Sequence, residues 1–237
     1  MQTGNFVVVD GIAGAGKSTI LNTARRLAQQ NGMRIFDLNE WSEQNSHPPL
    51  FEDIADYDVY FTFEPTRTWV GSSIRHELSR TDDAYGGEEL AHAFALDRMI
   101  MYKRLIIPAR TAGKTIIQDR SVTSSIVYQP IQSGLPVETI MALPGNKLAL
   151  LHAPDHLILI KLDPEIAVQR IYARNDESKG IYEMLDLLTK VHNSFHSEWF
   201  YNLMEKHNTT LNIFDTSSDL DSTLKKAEEL FNSILRK

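Results

Sequence analysis

Cysteine is absent from this 237-residue chain, which excludes disulfide frameworks, thiolate zinc sites and cysteine nucleophiles together. Concentrated positive charge is also lacking. The 24 Lys and Arg against 31 Asp and Glu leave a net charge of -7 at pH 7, and no basic cluster stands out. A protein that tracks a nucleic-acid backbone carries a basic face, so nucleic acid is not an expected partner. An anionic ligand must instead meet cations focused at one place. No apolar run approaches the roughly 20 residues that span a bilayer. The start, Met1-Gln2-Thr3-Gly4-Asn5, lacks the basic segment of a signal peptide. The expectation is a cytoplasmic protein with no membrane partner. Internal repeats and low-complexity tracts are missing as well. What is present, 42% hydrophobic and 23% charged residues, suits a single domain over 1–237 with a sizeable core.

Short apolar runs alternate with helical patterns, the signature of βαβ units. Phe6–Asp10 is rich in branched residues and stops at glycine, so it reads as a buried parallel strand. Met33–Leu38, Val59–Phe63, Lys114–Asp119, Leu157–Leu162 and Leu211–Phe214 have the same character with differing strength. Between them, Ser18–Asn31 spaces its apolar residues as a helix, and Gly32 suits the position just past the helix end. Glu88–Ala112 reads as one long helix interrupted near Pro108. Asp163 and Pro164 read as the cap and first residue of another, and Asp219–Leu235 as a closing one. Asn39–Asp58 has no sustained period and reads as an insertion or mobile loop with at most one helical turn. The fold expected is α/β: a doubly wound parallel sheet of about five strands flanked by helices.

The segment from Gly11 to Ser18, Gly-Ile-Ala-Gly-Ala-Gly-Lys-Ser, fits G-x-x-x-x-G-K-[ST], follows a strand and opens a helix. Glycines let backbone N–H groups curl around phosphates, and the helix N-terminus favours negative charge. Gly11, Ala13, Gly14, Ala15, Gly16, Lys17, Ser18 and Thr19 are therefore expected to hold a nucleoside triphosphate. Lys17 reaches its β- and γ-phosphates and Ser18 ligates Mg²⁺. This is a P-loop of the kind that NTP-dependent kinases use. Guanine specificity needs N-K-x-D, whereas Asn146-Lys147 is followed by Leu148-Ala149. The modest size favours a phosphotransferase over a motor.

Further along, Glu64-Pro65-x-x-Thr68-x-x-Gly71-x-x-Ile74-Arg75, Phe94-Ala95-Leu96-Asp97-Arg98 and Ala112-Gly113-Lys114-x-x-Ile117-x-Asp119-Arg120 follow in order. Ser124-Ser125, Tyr128-Gln129, Asp163-Pro164-Glu165 and Arg170-x-x-x-Arg174 complete the series. Together with the phosphate loop, these blocks resemble the thymidylate kinase family from the first strand to the last helix. The resemblance implies ATP as phosphoryl donor, Mg²⁺ as cofactor and dTMP as acceptor, giving dTDP. It implies that Phe94 stacks on the acceptor base, Arg98 bonds a base edge and Tyr128 closes the pocket beside the sugar. Ser125 and Glu64 would also face the acceptor. Arg120 would grip the acceptor phosphate and Asp119 would orient Mg²⁺ or the acceptor through water. Arg170, Arg174 and Lys179 would act from a lid at about 170–185, and two copies would pair near Phe94. Taken as residues alone, Phe94 also fits a core position, and Arg98 could pair with Asp97 or Glu89 on the surface.

The chain departs from the family pattern in the acceptor region. Ala13 stands where an Asp is usual, Phe63 where an Arg precedes Glu-Pro, and Ser121 where a Tyr follows Asp-Arg. Gly14 stands where one subtype has an arginine. Glu64-Pro65-x-x-x-Trp69, Asp119-Arg120-Ser121 and His196-x-Glu198-Trp199 are similar to blocks of the deoxynucleoside kinases. That alternative makes Glu64 a general base on a sugar hydroxyl. A nucleotide-binding protein without catalysis is the third reading.

Overall fold

A computed structural model describes residues 3–79, 85–173, 185–217 and 220–235. Its strands are β1 (Phe6–Gly11), β2 (Ile35–Asp37), β3 (Val59–Phe63), β4 (Thr115–Asp119), β5 (His156–Lys161) and β6 (Thr210–Asp215). They form one sheet in the order β2-β3-β4-β1-β5-β6, parallel throughout. The sheet has six strands, not about five. Both edges are weakly marked in sequence: β2 spans only 3 residues and β6 leaves Ile213 exposed. The inner strands are continuous apolar runs because both faces of a parallel sheet are covered. Phe6, Val7, Val8, Val9, Ile116 and Ile117 are all fully buried.

The helices are α1 (Lys17–Gln30), α2 (Leu38–Gln44), α3 (Trp69–Ser73), α4 (Gly87–Met101), α5 (Ile107–Thr111) and α6 (Val122–Ser133). They continue as α7 (Val137–Ala142), α8 (Pro144–Leu151), α9 (Pro164–Ala173), α10 (Leu185–Phe195), α11 (Glu198–Lys206) and α12 (Leu220–Ile234). From β1 the chain crosses to the edge strand β2, works back through β3 to β4 beside β1, and then passes to β5 and β6 on the other side. The order therefore reverses at β1, and the crevice outside the carboxyl ends of β1, β4 and β3 is where such sheets bind ligands.

Two expectations are corrected here. The long helix breaks earlier than the proline itself: α4 ends at Met101, and Tyr102–Ile106 forms a π turn before α5. Proline removes its own N–H and crowds the carbonyl four residues back, which for Pro108 is Arg104. The wide turn accommodates both. Secondly, the segment read as an irregular excursion contains α2 and a 3₁₀ turn at Phe51–Ile54. The Asp37 carboxylate caps α2 by accepting from Asn39 N at 2.8 Å. The Trp41 indole donates to His47 O at 2.7 Å, and Arg104 donates to Pro48 O at 2.8 and 3.0 Å. Ring contacts among Phe36, Trp41, Tyr57 and Tyr60 hold the segment from below. Its order comes from tertiary stacking, which leaves no period to read.

The helix pair α4 and α8 positions much of the crevice wall. They approach so closely that a Cβ on Gly145 would lie 1.7 Å from the Ala95 carbonyl oxygen. Overpacking of this kind costs about 1–3 kcal/mol. Gly145→Ala is expected to lower the urea midpoint accordingly while leaving the cooperativity of unfolding intact. A variant with an unchanged midpoint would refute the close approach.

Candidate active site

The phosphate loop joins β1 to α1. Gly14 and Gly16 adopt φ of +75° and +99°, conformations that L side chains rarely adopt. A Cβ on Gly14 would also meet the Ala167 carbonyl at 2.6 Å, so α9 docks directly on the loop. Lys17, Ser18 and Thr19 form the first helical turn; Thr19 N donates to Gly16 O at 3.1 Å, and the N–H groups of Lys17 and Ser18 can face an anion. Lys17 is buried and donates from Nζ to Gly11 O at 3.1 Å and Ile12 O at 2.9 Å. Burial, and next the Arg120 cation, pull its ammonium down to about 7, while Asp119 and Asp10 oppose that fall.

Beside the loop, the fully buried Asp10 carboxylate is a junction. It accepts from Gly11 N at 2.8 Å, from the Thr123 hydroxyl at 2.6 Å and from the Ser124 hydroxyl at 2.8 and 2.9 Å. Arg120 approaches Asp10 at 3.7 Å and donates from Nη1 to Ser124 Oγ at 3.1 Å. Arg120 holds φ at +62°, a costly conformation for a side-chain-bearing residue, fixed by its N–H bond to Val9 O at 2.9 Å. Its guanidinium lies 5.5 Å from the Tyr128 ring centroid. Next to it, Asp119 Oδ1 is buried with no hydrogen-bond partner. Such an oxygen, with the exposed Ser18 hydroxyl on the same cleft, suits Mg²⁺, which takes one or two protein oxygens plus substrate phosphates.

That cleft has a volume of about 710 Å³ and runs from Ala13 and Ser18 to Phe94, Gln129 and Gln132. Its far wall is a buried polar network. The Arg98 guanidinium pairs with the Glu64 carboxylate at 2.7 Å. It also donates to Asn146 Oδ1, to Ser125 Oγ at 2.8 Å and to Ser121 O at 3.3 Å. Gln118 Nε2 donates to Glu64 Oε1 at 3.1 Å and to Arg120 O at 2.9 Å, which ties this wall to the loop side. Burial pushes the Glu64 carboxyl up to about 7 against the pull of Arg98. Phe94 is half-buried on the cleft face of α4.

A family model described as thymidylate kinase matches residues 52–226. A thymidylate kinase of Caldicellulosiruptor saccharolyticus is 30% identical over 236 residues, covering 99% of this chain and 98% of that protein. The chain belongs to the thymidylate kinase family. A probable thymidylate kinase of Methanococcoides burtonii is 29% identical with 98% of each chain covered, and one of Pyrococcus abyssi is 34% identical over 79% of each.

Placed on this thymidylate kinase fold, Ala13, Ser18, Glu64, Phe94, Arg98, Asp119, Arg120, Ser125 and Tyr128 all line one cleft. Arg98 is not paired with Asp97 or Glu89 on the surface, because its side chain is only 1% exposed and is committed to Glu64. Asp97 instead accepts from the N–H and hydroxyl of Thr66, both at 2.7 Å. Arg170 stands apart from the acceptor end and donates from Nη2 to Thr216 O at 3.0 Å. The Thr216 hydroxyl in turn donates to Ala15 O at 2.9 Å, so Arg170 belongs to the rim of the phosphate loop. Arg174, Lys179 and most of the expected lid lie outside the described residues.

Sequence reading misses Asp10, Gln118, Gln129 and Asn146. Asp10 carried a signal, since an acid closing a fully apolar strand must find donors. Gln129 Oε1 and Gln132 Oε1 are buried without partners, and both residues line the cleft.

A phosphate bound at Lys17 would raise its pKa well above about 7. Triphosphate binding then takes up a proton, so affinity is full below pH 7 and falls as pH rises, by at most tenfold per unit. Calorimetry at pH 8 in buffers of differing ionisation enthalpy should register proton uptake in the wild type and none in Lys17→Arg. Equal uptake in both would remove Lys17 as the source.

Proposed function

We propose that this protein transfers the γ-phosphoryl group of ATP to dTMP, with Mg²⁺, to give dTDP. The observation that carries this reading is the charge left over in the cleft opposite the phosphate loop. Five arginines line it: Arg25, Arg67, Arg75, Arg98 and Arg120. Asp37 neutralises Arg25 at 2.7 Å and Glu64 neutralises Arg98 at 2.7 Å. Arg120 meets the buried Asp10 at 3.7 Å, so Arg67 and Arg75 stand against the single carboxylate of Asp119. An acceptor carrying its own phosphate balances that surplus, and a nucleoside does not.

The chemistry needs little more than positioning. An oxygen of the acceptor phosphate attacks the γ-phosphorus, the bond to the β-bridging oxygen breaks, and ADP leaves with those electrons. That attacking oxygen is already deprotonated at neutral pH, so no base is required. Glu64, with one oxygen on Arg98 and the other on Gln118, serves as a frame in this reading. Lys17 and Arg120 neutralise charge on the two sides of the transferred group, Arg170 acts from the loop rim, and Arg174 is carried over from the family pattern as a further charge-neutralising residue. Mg²⁺, when bound, neutralises phosphate charge, with Ser18 and Asp119 as its protein partners. Phe94 offers a stacking face for the base. The unpartnered Gln129 Oε1 offers an acceptor for thymine N3–H, with Ser125 and Tyr128 beside it. Arg98 has spent nearly all its donors on protein, so it sets the pocket's shape more than it reads the base. The reading includes a cytoplasmic setting and pairing of two copies through α4.

Incubation with labelled ATP, Mg²⁺ and a panel of dTMP, dUMP, dCMP and thymidine is expected to yield labelled dTDP. Labelled dTMP formed from thymidine, with none from dTMP, would overturn the assignment. Lys17→Ala should lower kcat by at least about a hundredfold with an unchanged circular dichroism spectrum. Full activity there would reject the phosphate-loop mechanism.

A further inference from the structure

Between Gly14 and Gly16 the phosphate loop carries Ala15, which is fully buried. The Ala15 carbonyl and the Gly16 N–H belong to one planar trans peptide and point in opposite directions. Neither glycine fixes that peptide, because glycine takes positive and negative φ at nearly equal cost. A bond from outside the loop must hold it. The Thr216 hydroxyl supplies that bond, donating to Ala15 O at 2.9 Å from the far end of the sheet's last strand. The Gly16 N–H is thereby turned away from Thr216, and among the described residues it makes no hydrogen bond with protein.

Thr216 is itself held from several directions. Its N–H donates to Lys161 O at 2.9 Å, which carries the pairing of β5 with β6 one residue beyond Lys161 and Asp215. Its carbonyl accepts from Arg170 Nη2 at 3.0 Å. The Asp215 carbonyl just before it accepts from the Thr223 hydroxyl of α12 at 2.9 Å. A hydroxyl has one proton, and the shorter path takes it to Ala15 O rather than to Lys161 O at 3.4 Å. Thr216 is buried, so water does not stand in for it. The helix α9 thus reaches the loop twice, through Ala167 against Gly14 and through Arg170 by way of Thr216.

We propose that Thr216 is a positioning residue for the triphosphate: its hydroxyl fixes the Ala15–Gly16 peptide and so aims the Gly16 N–H at the phosphates, with Arg170 keeping Thr216 in place. This rests on the donor reading given above. A donor aimed before the ligand arrives costs no ordering on binding, whereas a peptide free to rotate must be ordered at that moment.

The test is calorimetric affinity, with Mg²⁺, for ATP, for inorganic tripolyphosphate, which has phosphates and no base, and for dTMP. Thr216→Val keeps the shape and removes the hydroxyl. It should raise the Kd for ATP and for tripolyphosphate by a similar factor, roughly fivefold to a hundredfold, as expected when a buried acceptor loses its donor. The Kd for dTMP should not change. Thr216→Ser keeps the hydroxyl, loses the methyl beside Gly16 and should bind ATP as the wild type does. An unchanged ATP affinity in Thr216→Val overturns the proposal, as does an equal loss for dTMP. A loss for ATP with none for tripolyphosphate would place the residue on the nucleoside and overturns it too. Weakened binding in Thr216→Ser overturns it whether or not Thr216→Val folds. Wild-type protein that binds ATP but makes no dTDP overturns the function proposed above and leaves the Thr216 comparison to stand or fall by itself. Wild-type protein that binds neither ATP nor tripolyphosphate overturns both.

Discussion

The buried ion pair between Arg98 and Glu64 is the constraint on which the acceptor half of the molecule depends. A guanidinium and a carboxylate out of water carry a desolvation cost of several kcal/mol each, offset only when geometry and further hydrogen bonds are both good. Here the offset comes from four separate places in the chain. Glu64 follows β3, Arg98 sits near the end of α4, Ser121 and Ser125 open α6, and Asn146 starts α8. Satisfying one side chain therefore fixes four elements relative to one another. Removing either charge would strand the other, a penalty of about 3–5 kcal/mol, and would loosen the cleft wall as a whole.

A second buried acid does the same work on the donor side. Asp10 receives the first N–H of the phosphate loop and two hydroxyls from α6. Those bonds hold the triphosphate cradle and the Asp119-Arg120 pair at a fixed separation, which direct transfer between two phosphates demands. Gln118 links the two networks through Glu64 and the Arg120 carbonyl. The chain's net charge of -7 is no obstacle to anionic ligands, because five arginines gather in one cleft.

What could be read from sequence follows from the range of the interactions involved. The phosphate loop, the central strands and the α9 cap are written in neighbouring residues, since glycine conformations, apolar runs and Asp163 act locally. Asp163 Oδ1 indeed accepts from Glu165 N at 2.8 Å. The Asp119-Arg120 pair was legible because an acid and a base ending a buried strand point to a site. The α2 region was not, because its order rests on rings from several segments. The true partner of Arg98 is 34 residues away, so local spacing suggested surface partners that fold elsewhere. Unpartnered amide oxygens such as Gln129 Oε1 are a property of three-dimensional burial alone.

Arg170 bonds to Thr216, and Thr216 bonds to the phosphate loop, without touching the Arg98 network. The molecule is thus two workshops sharing one wall. In the proposed function, handling of the triphosphate falls to β1, α1, α9 and the end of β6, and choice of acceptor to the loop after β3, to α4 and to the start of α6. Sequence drift in the second set can redraw the acceptor range of a lineage while phosphoryl donation stays intact, and such drift should accumulate as coordinated changes among the four elements that meet at Arg98.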